Sequence, residues 1–228
     1  MNGIFQMEVG IPGCSAVHLH IVDLDALYSI HGEHVQRILS EDEKKRAGKF
    51  RKPEDRQRFT TARYFLRTLL ARTLEDDPER LRFAYNPFGK PYLECGSVNF
   101  NLSHSGSFGV IVLSRDLELG VDIETNVSLQ TAREVAPRIL SKSEYALWRK
   151  TGDDHLETFT RFWILKEALL KASGKGLSQD PQSIEIDPDQ LVPGVLKLPE
   201  DFGSPEAYGL HLLSPPAPFP MVGLAVKY

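Results

Sequence analysis

The chain has 228 residues, a formal net charge of -4, 41% hydrophobic and 25% charged residues. That is an ordinary globular composition, and an acidic chain lacks the uniformly basic surface a polyanion requires, so nucleic acid is not an expected partner. Cys14 and Cys95 make no CxxC pair, which offers neither a disulfide framework nor a thiolate metal site and suits a reducing cytoplasm. The opening MNGIFQMEVGIPG has no basic region before a long apolar run, and no later window approaches a membrane span. A soluble, cytoplasmic chain with no membrane partner is expected, built as one large domain or as two of roughly 100 residues.

In chain order, VHLHIV from Val17 alternates as a strand. ILSEDEKKR at 38–46 carries Ser40 with Glu43 three residues later, the capping-box spacing that opens a helix. RFTTARYFLRTLL from Arg58 has helical periodicity and ends near Thr73; NPFGKP reads as a loop, then VNFNLS and FGVIVL as strands. In LELGVDIETN, residues 117–126, Leu119, Val121 and Ile123 alternate with Gly120, Asp122 and Glu124. A half-buried strand there turns its apolar face inward and both carboxylates outward. ILSKSEYAL at 139–147 repeats the capping box at Ser141 and Glu144. In TFTRFWILKEALLKASGKGL, residues 158–177, Trp163, Glu167 and Lys171 share one helical stripe beside an apolar face of Phe162, Leu165, Leu169 and Ala172. SIEID and MVGLAVKY read as strands, and LVPG and LSPPAPFP as loops.

The chain also resembles itself. Ser40 and Glu43 match Ser141 and Glu144 at an offset of 101, the helix from Arg58 matches that from Arg161 at 103, and VHLHIV falls on LGVDIE at 102. His20 then lies opposite Asp122 and Val22 opposite Glu124, so only the second copy carries the acids. This predicts an α/β (α+β) fold of two similar halves related by a pseudo-twofold, residues 1–115 and 116–228, with both faces of the site in one monomeric chain.

Two carboxylates at i and i+2 on a strand have Cα atoms about 6.5 Å apart, repel one another when alone, and suit one hard cation. A bare D-x-E equally describes a solvated strand face ending in a turn at ETN. Glu167 and Lys171 equally describe an i, i+4 pair worth a few tenths of a kcal/mol. Arg58 and Arg63 read as solvated positions of an amphipathic helix, His104 as a hydrogen-bonded turn residue, and no histidine cluster supports zinc.

GVDIE at 120–124 and WILKEALLKASGKGL at 163–177, with FGKPYL at 88–93 and FNLSHSG at 100–106 in that order, resemble the signatures of the 4'-phosphopantetheinyl transferases. The similarity is to the single-chain, surfactin-synthetase-activating (Sfp) type and runs from roughly Leu39 to Leu177. It implies two similar α/β halves with the active site between them. It also implies Mg2+-dependent transfer of the phosphopantetheine arm of coenzyme A, the co-substrate, to a serine of an apo acyl or peptidyl carrier protein, releasing 3',5'-ADP.

By motif position, the resemblance makes Asp122, Glu124 and Glu167 the metal ligands, with Glu167 also the candidate base and Lys171 the diphosphate contact and leaving-group stabiliser. It assigns Lys90, Pro91, Ser103, His104, Arg58, Lys166 and Lys171 to coenzyme A, and Arg46 as a further contact. The family pattern has two lysines in the segment EDEKKRAGKF, and Glu43 stands at one of them, which leaves the 3'-phosphate clamp open; Lys45 and Lys49 are the alternatives. Glu144 matches a family glutamate near the metal and is equally a capping-box partner. The rival functions are a Mg2+-dependent coenzyme A diphosphate hydrolase and an inactive carrier- or coenzyme A-binding module. Intact Asp122, Glu124, Glu167 and Lys171 favour the transferase.

Overall fold

The computed structural model describes residues 3–125, 127–152, 155–176, 179–187 and 193–228. Strand β1 (Ile4–Val9) pairs antiparallel with β2 (Val17–Asp23), which continues into helix α1 (Leu24–His31) capped by the Asp23 carboxylate. Helix α2 (Glu41–Ala47) opens on the predicted box, with Ser40 and Glu43 satisfying each other's backbone N–H groups. Helix α3 (Pro53–Leu74) starts five residues before the predicted Arg58, because Pro53 stands in its first turn, where a missing N–H loses no hydrogen bond.

A small hairpin, β3 (Phe83–Tyr85) and β4 (Pro91–Leu93), brackets the predicted NPFGKP loop. Then β5 (Asn99–Ser105) and β6 (Phe108–Ser114) complete a first sheet of order β1-β2-β6-β5. Strand β7 (Glu118–Ile123) opens the second half of the chain, followed by α4 (Leu129–Ile139), α5 (Lys142–Trp148) and α6 (His155–Ala172). A hairpin of β8 (Glu185–Asp187) and β9 (Gly194–Lys197) precedes β10 (Tyr208–Leu213) and β11 (Val222–Lys227). The second sheet has order β10-β11-β7. Of the predicted LVPG loop, Leu191 and Val192 lie outside the described residues, as do Asn126 of ETN and Leu177.

Alternation explains the layers. Val17, Leu19 and Ile21 of β2 and Val110 and Val112 of β6 pack against Leu119, Val121 and Ile123 of β7 and Val222, Leu224 and Val226 of β11. The two sheets therefore face each other across one apolar layer. On the outer face of the first sheet, α3 packs Ala62, Phe65, Leu66 and Leu70 against Ile111 and Leu113. On the outer face of the second, α6 packs Leu165, Ala168, Leu169 and Ala172 against Leu210 and Ala225. The order of layers is helix, sheet, sheet, helix.

One expectation is corrected here. The face of β7 carrying Gly120 and Asp122 is buried under α6 rather than turned to solvent, and Asp122 is 5% exposed. Glycine permits this approach: a Cβ on Gly120 would lie 1.9 Å from the Ala168 carbonyl oxygen, and one on Gly223 of β11 2.6 Å from that of Ile164. The acids of β7 are thus brought under the helix that carries Glu167 and Lys171.

Candidate active site

Strands β5 and β7 are the facing edges of the two sheets, and they meet through side chains. Asn101, Ser103 and Ser105 alternate along β5 and so share one face. Asn101 accepts the Val121 N–H at 2.9 Å, Ser103 donates to Asp122 Oδ1 at 2.7 Å, and Ser105 donates to Glu124 Oε2 at 2.8 Å. From α6, Lys171 Nζ reaches into this seam, donating to Asp122 Oδ1 at 2.6 Å, Ser103 Oγ at 2.9 Å and the Val121 carbonyl at 3.1 Å.

Trp163, Glu167 and Lys171 are all half-buried positions of α6, on the common stripe their spacing predicts. Trp163 packs edge-on against Phe159, with ring centroids 5.2 Å apart. Glu167 lies in the field of the β7 acids. Burial and repulsion from Asp122 and Glu124, opposed by Lys171, push its carboxyl up to about 7. Glu124 is raised too, by burial first, against the Ser105 hydrogen bond, with Asp122 adding to the shift and Lys171 reducing it.

An open cavity of about 290 Å³ leads away from Lys171 and Ser103 and is lined by Arg46, Arg63, Tyr85, Pro91 and His104 among others. Four of its lining residues, Arg46, Arg63, His104 and Lys171, are basic types, and among the described residues no carboxylate lines it. His104 sits at the rim, where burial, Lys171 and Arg46 outweigh Asp55 and Asp122 and lower its pKa. A second opening of about 390 Å³, bounded by Ser107, Phe108, Thr125, Pro218 and Pro220, reaches Glu124.

Several predicted contacts lie elsewhere. Lys166 is 1% exposed; its ammonium donates to the carbonyls of Ile139, Pro181 and Ile184 and pairs with Glu144. It faces the interior because from Ile164 to Leu170 every residue of α6 except Glu167 is buried. Glu144 is equally enclosed: besides Lys166 it takes the N–H groups of Ser141 and Ile186. Lys90 donates its ammonium to Leu119 O at 2.9 Å and Ala172 O at 3.4 Å, while its neighbours Gly89 and Pro91 stay on the cavity wall. Burial lowers Lys90 to about 8, with Glu118 opposing and Lys227 assisting. Arg58 makes a two-pronged pair with Asp25 at 3.0 and 2.7 Å and does not line the cavity.

Arg63 reverses its solvated reading. It is 4% exposed and ion-paired with Glu43, whose other oxygen takes Arg67 at 2.8 Å. Burial alone would raise Glu43, but Arg63, the Ser40 N–H and Arg67 prevail and hold it below the ordinary carboxylate range. Its signal was present in the capping box: a glutamate tied back to its own helix start stays close to the surface packed on the next helix. Ser105 and Asn101 were also missed, and their alternation with Ser103 was the readable clue.

Among the described residues, no three His, Cys, Asp or Glu side chains stand gathered as a ready metal set. Asp122 Oδ1 is held by Lys171 and Glu124 by Ser105, which relieves the crowding of acids without an ion. The donor set nevertheless suits a hard cation: the donors are all carboxylate oxygens, and buried Asp122 Oδ2 has no hydrogen-bond partner among the described residues.

A family model described as the 4'-phosphopantetheinyl transferase superfamily matches residues 118–214, and one described as 4'-phosphopantetheinyl transferase, N-terminal, matches 31–116. The chain is 36% identical to the 4'-phosphopantetheinyl transferase HetI of Nostoc sp. over 176 residues, 75% of this chain and 73% of that protein. It is 31% identical to the 4'-phosphopantetheinyl transferase Sfp of Bacillus subtilis, covering 69% and 75%. With slr0495 of Synechocystis sp., also named for this family, it shares 41% over 147 residues, 63% of this chain and 60% of that protein. With the family's motifs converging on one seam and both of its sequence models matched in order, the chain belongs to the 4'-phosphopantetheinyl transferases.

Proposed function

We propose that this chain transfers the 4'-phosphopantetheine arm of coenzyme A to a serine hydroxyl of an apo acyl or peptidyl carrier protein, releasing 3',5'-ADP. The observation that carries the proposal is the seam itself: Asp122 on β7, Glu124 just past its end, Lys171 on α6 and Ser103 on β5 meet beside a cavity whose charged lining, among the described residues, is all of basic types. The serine oxygen attacks the phosphorus bearing the pantetheine arm, and the bond to the oxygen bridging the two phosphorus atoms breaks. Glu167, on the α6 stripe that also carries Lys171, takes the serine proton. Lys171, fixed by Ser103 and the Val121 carbonyl, holds the charge that develops on the departing phosphate oxygen. Asp122, Glu124 and Glu167 are the residues that would hold Mg2+. When bound, the ion supplies neutralisation of diphosphate charge and in-line orientation.

The chain is a monomer of two related halves, 1–115 and 116–228, working in the cytoplasm. Three features support the halves. The strand orders β5-β6-β2 and β10-β11-β7 run through the chain in the same way, and each half has one capping box. In each, the boxed glutamate is buried and paired with a cation of the long helix, Glu43 with Arg63 and Glu144 with Lys166. Among the described residues no helix is long and apolar enough to cross a membrane.

Mass spectrometry of several apo carriers incubated with coenzyme A, Mg2+ and the protein tests the proposal. A carrier mass increased by one phosphopantetheine, dependent on Mg2+, supports it. Free phosphopantetheine with unmodified carriers indicates a hydrolase, and binding without turnover an inactive module.

A further inference from the structure

Glu43 occupies a position where the family pattern has a lysine, and the structure shows what that acid holds. Its Oε1 pairs with Arg63, while its Oε2 takes the Ser40 N–H and Arg67. The two arginines differ in what remains free. Arg67 donates from Nη1 to the carbonyls of Pro78 and Leu81. Arg63 lies over the Phe83 ring at 4.5 Å, lines the cavity beside Arg46 and His104, and keeps a buried Nη2 with no partner among the described residues. Its counterpart in the second half, Lys166, has three carbonyls and Glu144 around it and lines no part of this cavity. The equivalent cation is therefore saturated in one half, while in the other a residue of the cavity lining keeps one buried donor unpaired among the described residues.

We propose that Arg63, anchored by Glu43, is a binding residue for the 3'-phosphate of coenzyme A. The assignment rests on the transferase reading and follows from where the cations sit. Lys171 is fixed at Asp122 and Ser103, so the reacting diphosphate belongs at that end. Arg63 is fixed at Glu43 of α2 and Phe83 of β3, on the wall that also carries Arg46. Coenzyme A has one further phosphate, the 3'-phosphate, and an arginine whose Nε is already committed offers it a preoriented N–H donor. The glutamate that removes a lysine from the clamp thus positions an arginine in its stead.

The test compares coenzyme A with dephospho-coenzyme A, which lacks only the 3'-phosphate, as substrates for the full chain and for Arg63→Gln and Arg63→Lys, by kcat/KM. The unaltered chain should prefer coenzyme A, and Arg63→Gln should reduce that preference by about 10- to 100-fold, acting on coenzyme A alone. Arg63→Lys keeps a cation beside Glu43 but lacks the guanidinium's second arm, so a smaller selective loss is expected; it decides the matter if Arg63→Gln does not fold. Equal losses with both substrates, or an unchanged preference, overturn the proposal and leave the transferase reading intact. No transfer by the unaltered chain from either substrate overturns both.

Discussion

Lys166 and Lys171 stand five positions apart on α6 and meet opposite surroundings. Lys166 is enclosed by three carbonyls and Glu144, whereas Lys171 reaches the β5–β7 seam. Lys171→Ala should leave the fold intact and lower kcat by roughly 100- to 1,000-fold, as loss of a charge stabiliser does. Lys166→Ala strands a buried Glu144 and should destabilise by about 3–5 kcal/mol in chemical denaturation, with kcat/KM per folded molecule within about twofold of the parent. A rise in KM for coenzyme A as the chief effect of Lys166→Ala would restore the contact role that its motif position implied. Lys90 gives a pH signature. Its pKa is near 8 in the fold and about 10.4 in the unfolded chain, so between those values the unfolded state binds more protons and stability rises with pH. Burying the ammonium therefore weighs most against the fold below about pH 8. Relative to Lys90→Met, the parent should gain up to roughly 3 kcal/mol from pH 8 to pH 10.5 in denaturant titrations, and a flat difference would refute the shift.

At the scale of the element, the seating of α6 on β7 and β11 depends on two residues without side chains. Gly120→Ala would drive a methyl into the Ala168 carbonyl and the Ala172 N–H, at 1.9 and 2.3 Å, and neither backbone group can swing aside. The helix must lift, which separates Lys171 from Asp122. We expect loss of at least about 3 kcal/mol in thermal unfolding, together with loss of transfer. Gly109→Ala is the control: its Cβ would meet a flexible Leu24 side chain at 3.2 Å, so a much smaller effect is expected. The sequence marked Gly120 only as one member of an alternating strand. What made it indispensable was the helix laid across that strand, which local alternation does not encode.

For the molecule as a whole, residues 1–115 and residues 116–228 both contribute to one apolar layer. Val17, Leu19, Ile21, Val110 and Val112 come from the first, and Leu119, Val121, Ile123, Val222, Leu224 and Val226 from the second. Fragments 1–115 and 116–228 made separately should each expose their share of that layer, aggregate, and show no transfer; made together they should recover solubility and activity. An isolated second fragment that is soluble, monomeric and fully active would place the entire reaction on residues 116–228 and defeat the two-half arrangement.

What the sequence determined by itself was whatever short-range physics dictates. Capping boxes at Ser40 and Ser141 are bonds between residues three apart, and the strand alternation of VHLHIV and LGVDIE is a property of the pleat, so both were legible and both are present. So was the stripe of Trp163, Glu167 and Lys171, because helical spacing alone puts them on one face. The tertiary structure decided which faces were covered. It turned the acid face of β7 from solvent to interior, sent Lys166 inward, gave Glu144 a structural bond to Ile186, and paired Arg58 with Asp25. It also drew Arg63 from a supposed solvated position into the cavity wall through an ion pair spanning 20 residues. Burial and charge pairing arise between elements remote in the chain, so the fate of a polar side chain is set by what packs over it rather than by its own neighbours in sequence.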